Sequence, residues 1–145
     1  MQAHNNANED MQKKKAWLKS YRQMTLKLKA LLEERVQWEA IATHITPQYS
    51  DTPKSGGEDR VQRSVDKLAD IDEQIFNQLE QLEQRRAEII NAIEQMSDER
   101  YKTVLHLHYI NGDSFELVAV TMNYDFRWVK ELNRRALLAL ELLET

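Results

Sequence analysis

The 145-residue sequence predicts an all-α protein, a long antiparallel helical hairpin of coiled-coil character followed by a C-terminal trihelical domain. Three observations predict it. Apolar residues recur at alternating steps of four and three along two long stretches, the mark of a heptad seam. A segment bearing both prolines and two of the three glycines separates those stretches. Three short amphipathic segments, each opened by a capping residue, then close the chain. No run alternates with the period of two that a strand face needs.

Residues 1–10 are polar and Asn-rich, which reads as a disordered tail. The Lys13-Lys14-Lys15 run reads as a solvated helix start, with a contact to a nucleic-acid backbone as the alternative. From about Asp10 to Thr43 one helix is expected, because Trp17, Tyr21, Met24, Leu28, Leu31, Trp38 and Ala42 share a seam in which Arg35 fills one place. Trp17 and Trp38 are packing residues on this reading. Between Thr43 and Gly57, Thr46-Pro47, Thr52-Pro53 and Ser55-Gly56-Gly57 all resist helix, so a loop over 43–57 divides the hairpin of residues 11–96. No lysine follows a glycine there at the place a phosphate-cradling loop requires.

Glu58 to Met96 carries the longest seam. Val61, Val65, Leu68, Asp72, Ile75, Leu79, Leu82, Arg86, Ile89, Ile93 and Met96 alternate steps of four and three without a break. A helix of this length runs roughly 58 Å, at 1.5 Å per residue, which is more seam than the first helix can cover. The uncovered apolar surface predicts self-association, most simply as a dimer. Asp72 and Arg86 interrupt the seam. In an antiparallel dimer centred near Leu79 they could meet, and otherwise both lie at the rim in water.

The three closing segments span 97–145. The first, Ser97 to Tyr109, opens on Ser97 as cap and carries Val104, Leu105, His108 and Tyr109 at helical spacing. Ile110-Asn111-Gly112-Asp113 ends it, since Asn and Gly tolerate left-handed backbone. The second, Ser114 to Met122, carries Val118, Ala119 and Met122 on one side. Asn123-Tyr124 makes a tight turn, and Asp125 caps the third segment, whose stripe is Val129, Leu132, Ala136, Leu137 and Leu140. This is the helix-turn-helix plan, with Ala119 small where two helices cross and Val118 and Val129 closing the corner. A helical hairpin with no nucleic-acid role has the same spacing.

The residues from Val104 to Ala119 resemble the pattern of sigma factor region 4. Trp128-Val129-Lys130-Glu131-Leu132-Asn133-Arg134-Arg135-Ala136-Leu137 resembles that region's recognition helix, about 45 of the 145 residues being covered in all. His108 stands where arginine is usual, and Val118 where isoleucine is. The whole chain is also similar to small phage and prophage late transcription regulators of the ArpU or RinA type. Ala42-Thr43-His44-Ile45-Thr46-Pro47, Ser55-Gly56-Gly57, Asp59-Arg60-Val61 and the stretch from Tyr109-Ile110 to Trp128-Val129 carry that likeness. The resemblance implies a phage-encoded regulator with a sigma-like C-terminal domain, and no catalytic chemistry.

Residue types assign roles within the third segment. Arg127, Lys130 and Glu131, near its start, suit base edges, because Arg and Lys match guanine acceptors and Glu accepts from cytosine. Arg134 and Arg135, further along, suit phosphates. Trp128 either stacks on the sugar backbone or completes the core.

Charge pulls the other way. Residues 1–42 carry a net +3, residues 43–96 carry −5, and residues 97–145 carry −2, so the proposed DNA-binding segment is slightly acidic where solitary binders are basic. Double-stranded DNA bound as a dimer, with RNA polymerase as a second partner, fits such a balance. A helical adaptor for RNA polymerase or for a phage packaging component, small terminase included, is the other reading.

Absence of cysteine fits a reducing cytoplasm and leaves no thiolate ligand. The polar start has no signal-peptide character. His106 and His108, two apart on a helix, face different ways and cannot grip one metal. Neither an enzyme, a metal site nor a cofactor is expected.

Overall fold

The computed structural model describes residues 2–44 and 57–142. Among these the secondary structure is entirely helical: α1 (Gln2–His44), α2 (Gly57–Glu94), α3 (Glu99–Leu105), α4 (Phe115–Met122) and α5 (Phe126–Ala139), with α3 running on into one π-helical turn, His106–Ile110. Most of the expected loop, residues 45–56, lies outside the described residues. No helix among the described residues is long and apolar enough to cross a membrane.

The chain divides into two compact units, Met1–Gln23 with Leu82–Thr145, and Met24–Gln81. The expected boundary at residue 96 therefore falls inside the first unit. The physical reason is a shared core. Leu18 of α1 and Ile89, Ala92 and Ile93 of α2 are buried in one cluster with Leu105, Tyr109, Ala136, Leu137 and Leu140. A second cluster joins Val104, Val118, Ala119, Val129 and Leu132. Each fully buried aliphatic side chain there contributes roughly 1.5–3 kcal/mol. That packing is what holds α4 and α5, since helices of 8 and 14 residues are marginal on their own.

In the second unit Leu31 and Ile71 are buried. Gln78 Nε2 donates to Met24 O at 3.1 Å, and Arg35 Nε donates to Asp72 Oδ1 at 2.6 Å. Two of the three charged residues that interrupt the predicted seams, Arg35 on α1 and Asp72 on α2, thus pair with each other at the rim.

Three expectations need correction. Residues 2–10 are helical rather than disordered, because extending an existing helix costs far less than starting one. Met11 anchors this extension against the first cluster.

The α2 seam keeps its alternation of four and three but lies one residue earlier at every second position. The inward positions are Ser64, Leu68, Ile71, Ile75, Gln78, Leu82, Arg85, Ile89, Ala92 with Ile93, and Met96, while Val61, Val65, Asp72, Leu79 and Arg86 are exposed. Of the predicted set, Leu68, Ile75, Leu82, Ile89, Ile93 and Met96 do face inward. Ser64 and Gln78 take inward places because both are hydrogen-bonded, Ser64 Oγ to Arg60 O and Gln78 to Met24 O.

The cap of α3 is Asp98 rather than Ser97. Its carboxylate accepts from the Arg100 backbone at 2.9 Å and also takes the Arg100 guanidinium at 3.0 Å, two bonds that a serine hydroxyl could not match.

Candidate nucleic-acid interface

The corner between α4 and α5 is built from local chemistry. Ser114 Oγ accepts from Leu117 N at 3.2 Å and starts α4. Asn123, at φ 57°, adopts the left-handed conformation that ends it. Tyr124 N then donates to Ala119 O at 3.0 Å, and Asp125 accepts from Arg127 N at 3.1 Å to start α5. Ala119 is buried between the two helices, and Val118 and Val129 are fully buried beside it. The expected stripe of Val129, Leu132, Ala136, Leu137 and Leu140 is buried along its whole length. Asn133, which the stripe omits, is buried with it.

The α3–α4 connection is equally tied. Gly112 takes φ 77°. Asp113 N donates to Leu107 O at 3.0 Å, and the His108 ring stacks on Phe115. The π turn, closed by Asn111 N to His106 O at 3.0 Å, sets His108 and Tyr109 in place for these contacts.

With its apolar stripe buried, α5 turns its charged side chains outward. Arg127 and Lys130 are exposed and make no ion pair among the described residues. Lys130 Nζ lies 5.2 Å from the centre of the Phe126 ring. Glu131 stands differently from its expected role. Its Oε1 takes Arg134 Nη2 at 2.6 Å and Arg135 Nε at 3.1 Å, while Oε2 takes Arg134 Nε at 3.0 Å. Those hydrogen bonds from Arg134 and Arg135 push its carboxyl down to about 2, so it is ionised at any ordinary pH and both oxygens are engaged. A cytosine amino group would have to displace an arginine to reach it. Trp128 packs against the second cluster, and the Arg135 guanidinium covers it at 5.0 Å, so its ring is committed to the fold.

Two features escaped sequence reasoning. The first is apolar: Leu117, Val120 and Tyr124 are exposed around the α4–α5 corner beside the exposed Phe126, Val120 at 77%. The second is electrostatic. Because Met1–Gln23 belongs to the first unit, that unit holds 13 Lys and Arg against 13 Asp and Glu, and the net −4 of the chain lies entirely in residues 24–81. The acidic balance read from residues 97–145 alone is therefore offset by α1. Lys14 is not among the free cations, since it is buried between Asp10, at 3.2 Å, and Leu138 O, at 3.3 Å, near the end of α5.

Among the described residues no cluster of His, Asp and Glu has the geometry to hold a metal ion. No family model, no curated protein and no solved structure matches the chain.

Proposed function

We propose that this chain is a DNA-binding transcription regulator whose α4–turn–α5 corner is a helix-turn-helix, with α5 as the reading helix in the major groove of duplex DNA. One observation carries the reading. The apolar side of α5 is buried against α3 and α4, and the outward side holds Arg127, Lys130, Arg134 and Arg135 behind a left-handed turn at Asn123. Arg127 and Lys130, in the first turns and without carboxylate partners, suit base edges. Arg134 and Arg135 suit phosphates, with Glu131 holding them in position until a phosphate competes. The resemblance of Val104–Ala119 and Trp128–Leu137 to sigma factor region 4 supports a role beside RNA polymerase, in a prophage late operon.

The contacts of Ser20 with Arg85, Met24 with Gln78 and Arg35 with Asp72 support reading α1 and α2 as an antiparallel coiled-coil hairpin. Val61, Val65, Phe76 and Leu79, exposed on α2, suit a homodimer contact.

The test begins with selection of preferred duplexes from a random pool by the full chain. Arg127→Ala should then lose roughly 1–3 kcal/mol on the selected site and relax its sequence preference. Arg135→Ala should weaken all duplexes about equally and shallow the salt dependence. If both folded variants bind like the parent, α5 is not a DNA reader. The exposed Leu117, Val120, Tyr124 and Phe126 favour what would then replace it, a helical adaptor that offers this corner to RNA polymerase or to a phage packaging protein.

A further inference from the structure

We propose that Lys15, Lys19 and Arg22, on the N-terminal part of α1, form a second contact for the sugar-phosphate backbone of duplex DNA, beside the α3–α4 connection. The proposal rests on the DNA-binding reading above and extends it to a surface outside the C-terminal segments.

The three residues stand at i, i+4 and i+7, so they share one face of α1. All three belong to the same compact unit as α4 and α5. Their place beside the connection is set at both ends of the contact. A β-carbon on Gly112 would lie 2.8 Å from Arg22 Nη1, so the missing side chain is the space that the guanidinium occupies. The cations whose charge bears on the His108 ring are Lys19, Arg22 and Lys15.

The stripe lacks counter-charge among the described residues, as do Lys13, Arg86, Arg127 and Lys130 in the same unit. Elsewhere in the unit Arg85 pairs with Glu88, Arg100 with Asp98, Lys102 with Glu94 and Glu99, and Arg134 and Arg135 with Glu131. Lys15, Lys19 and Arg22 make no ion pair or hydrogen bond among the described residues. No Asp or Glu stands three or four residues from any of them on α1. Asp113 and Glu116, the carboxylates next in sequence to the connection, pair with none of them. Three like charges at helical spacing repel one another, and the arrangement becomes favourable when an external polyanion covers it.

Reach is consistent with one duplex. Over its 8 residues, α4 rises about 12 Å. The major groove is about 12 Å wide. The proposal sets α5 in that groove and a flanking backbone on the side where α4 begins, next to Gly112 and Arg22. The contact is to phosphates, so it adds affinity and salt dependence without sequence preference.

The experiment compares the full-length parent with the triple variant Lys15→Gln, Lys19→Gln, Arg22→Gln. A control variant, Lys27→Gln with Lys29→Gln, removes α1 cations from the other compact unit. Fluorescence anisotropy follows binding to a selected duplex and to a scrambled duplex of equal length over a sodium chloride series, after circular dichroism has shown equal helix content. The triple variant should lose affinity equally on both duplexes, keep the parent's preference between them, and show a slope of log K against log salt shallower by about 2–3. The control should match the parent. If the parent binds and the triple variant keeps its slope and affinity, the stripe is not a DNA contact and the role of α5 stands. If the control loses as much as the triple variant, overall charge is responsible and the stripe proposal fails. If the parent binds no duplex at low salt, both readings fail together.

Discussion

The imidazole of His108 lies flat on the ring of Phe115, with centroids 3.8 Å apart and planes 14° apart, and its Nδ1 lies 2.8 Å from Asp113 O. A carbonyl can only accept, so Nδ1 carries a proton, in the neutral ring and in the imidazolium alike. Burial lowers its pKa below the ordinary 6.5; the hydrogen bond to Asp113 opposes that, and Lys19, Arg22 and Lys15 reinforce it. Between the folded value and 6.5 the unfolded chain binds more protons than the folded one, so stability rises with pH across that window. The contribution is complete above the unfolded value and is lost as pH falls through the folded one. Urea unfolding at about pH 7.5 and about pH 5 should show the parent weaker at the lower pH, and His108→Gln should remove part of the difference. Equal losses in parent and variant would assign the pH dependence to other groups.

Glu131 restrains two arginines that the proposed function assigns to phosphates. Glu131→Gln removes one negative charge and frees both guanidinium groups. Binding to duplexes of unrelated sequence should tighten, and the salt slope should steepen by roughly 1–2. An unchanged slope in a salt titration would mean that Arg134 and Arg135 do not reach the backbone.

The α4–α5 corner is sensitive to shape at two neighbouring positions. Asn123→Gly should stay close to the parent, whereas Asn123→Val forces a β-branched side chain into φ 57° and should cost about 1–2 kcal/mol. Ala119→Leu, in a space already filled by Val118 and Val129, should cost about 1–3 kcal/mol. Chemical denaturation reads both. A stable Ala119→Leu variant would show that the two helices can move apart.

Tyr109 carries a hydroxyl that is buried without a hydrogen-bond partner among the described residues. Burial pushes the phenol pKa up; Asn133 is close enough to oppose that, but falls short of bonding geometry. Tyr109→Phe should therefore change stability by less than about 1 kcal/mol, because the hydroxyl forms no bond that could be lost. A larger loss by thermal denaturation would reveal a partner for that oxygen.

Phe76 is 61% exposed on α2, and Val65 is 50% exposed. Changing both to Ser should leave the helix content intact and convert the proposed dimer to monomer in light scattering at tens of micromolar. A parent that is already monomeric there removes the dimer from the functional reading.

The parts of the fold that were legible in sequence are those held by near neighbours. Ser114, Asn123 and Asp125 act within three residues of themselves, and the buried stripe of α5 follows from its own spacing. The phase of the α2 seam was not legible. Val61, Val65 and Leu79 are apolar, whereas Ser64 and Gln78 turn inward on hydrogen bonds, and for Gln78 the acceptor is Met24 on another helix. Asp98 and Ser97 were both competent caps, and only the Arg100 side chain decides between them. The electrostatics of the candidate interface were hidden for a similar reason. Lys15, Lys19 and Arg22 lie about ninety residues before the connection they adjoin, and counting charge by segment assigned them elsewhere.

The π turn at His106–Ile110 makes the candidate interface depend on how this turn is wound as well as on residue identity. A turn closed by a bond across five residues holds one more residue than an α turn over the same rise. Were the same residues wound as a continuous α ladder, everything after them would rotate by about 100° relative to α3. Phe115 would then miss His108, Gly112 would leave Arg22, and α5 would aim its arginines elsewhere with every one of them still present. In this protein the widened turn acts as an angular shim.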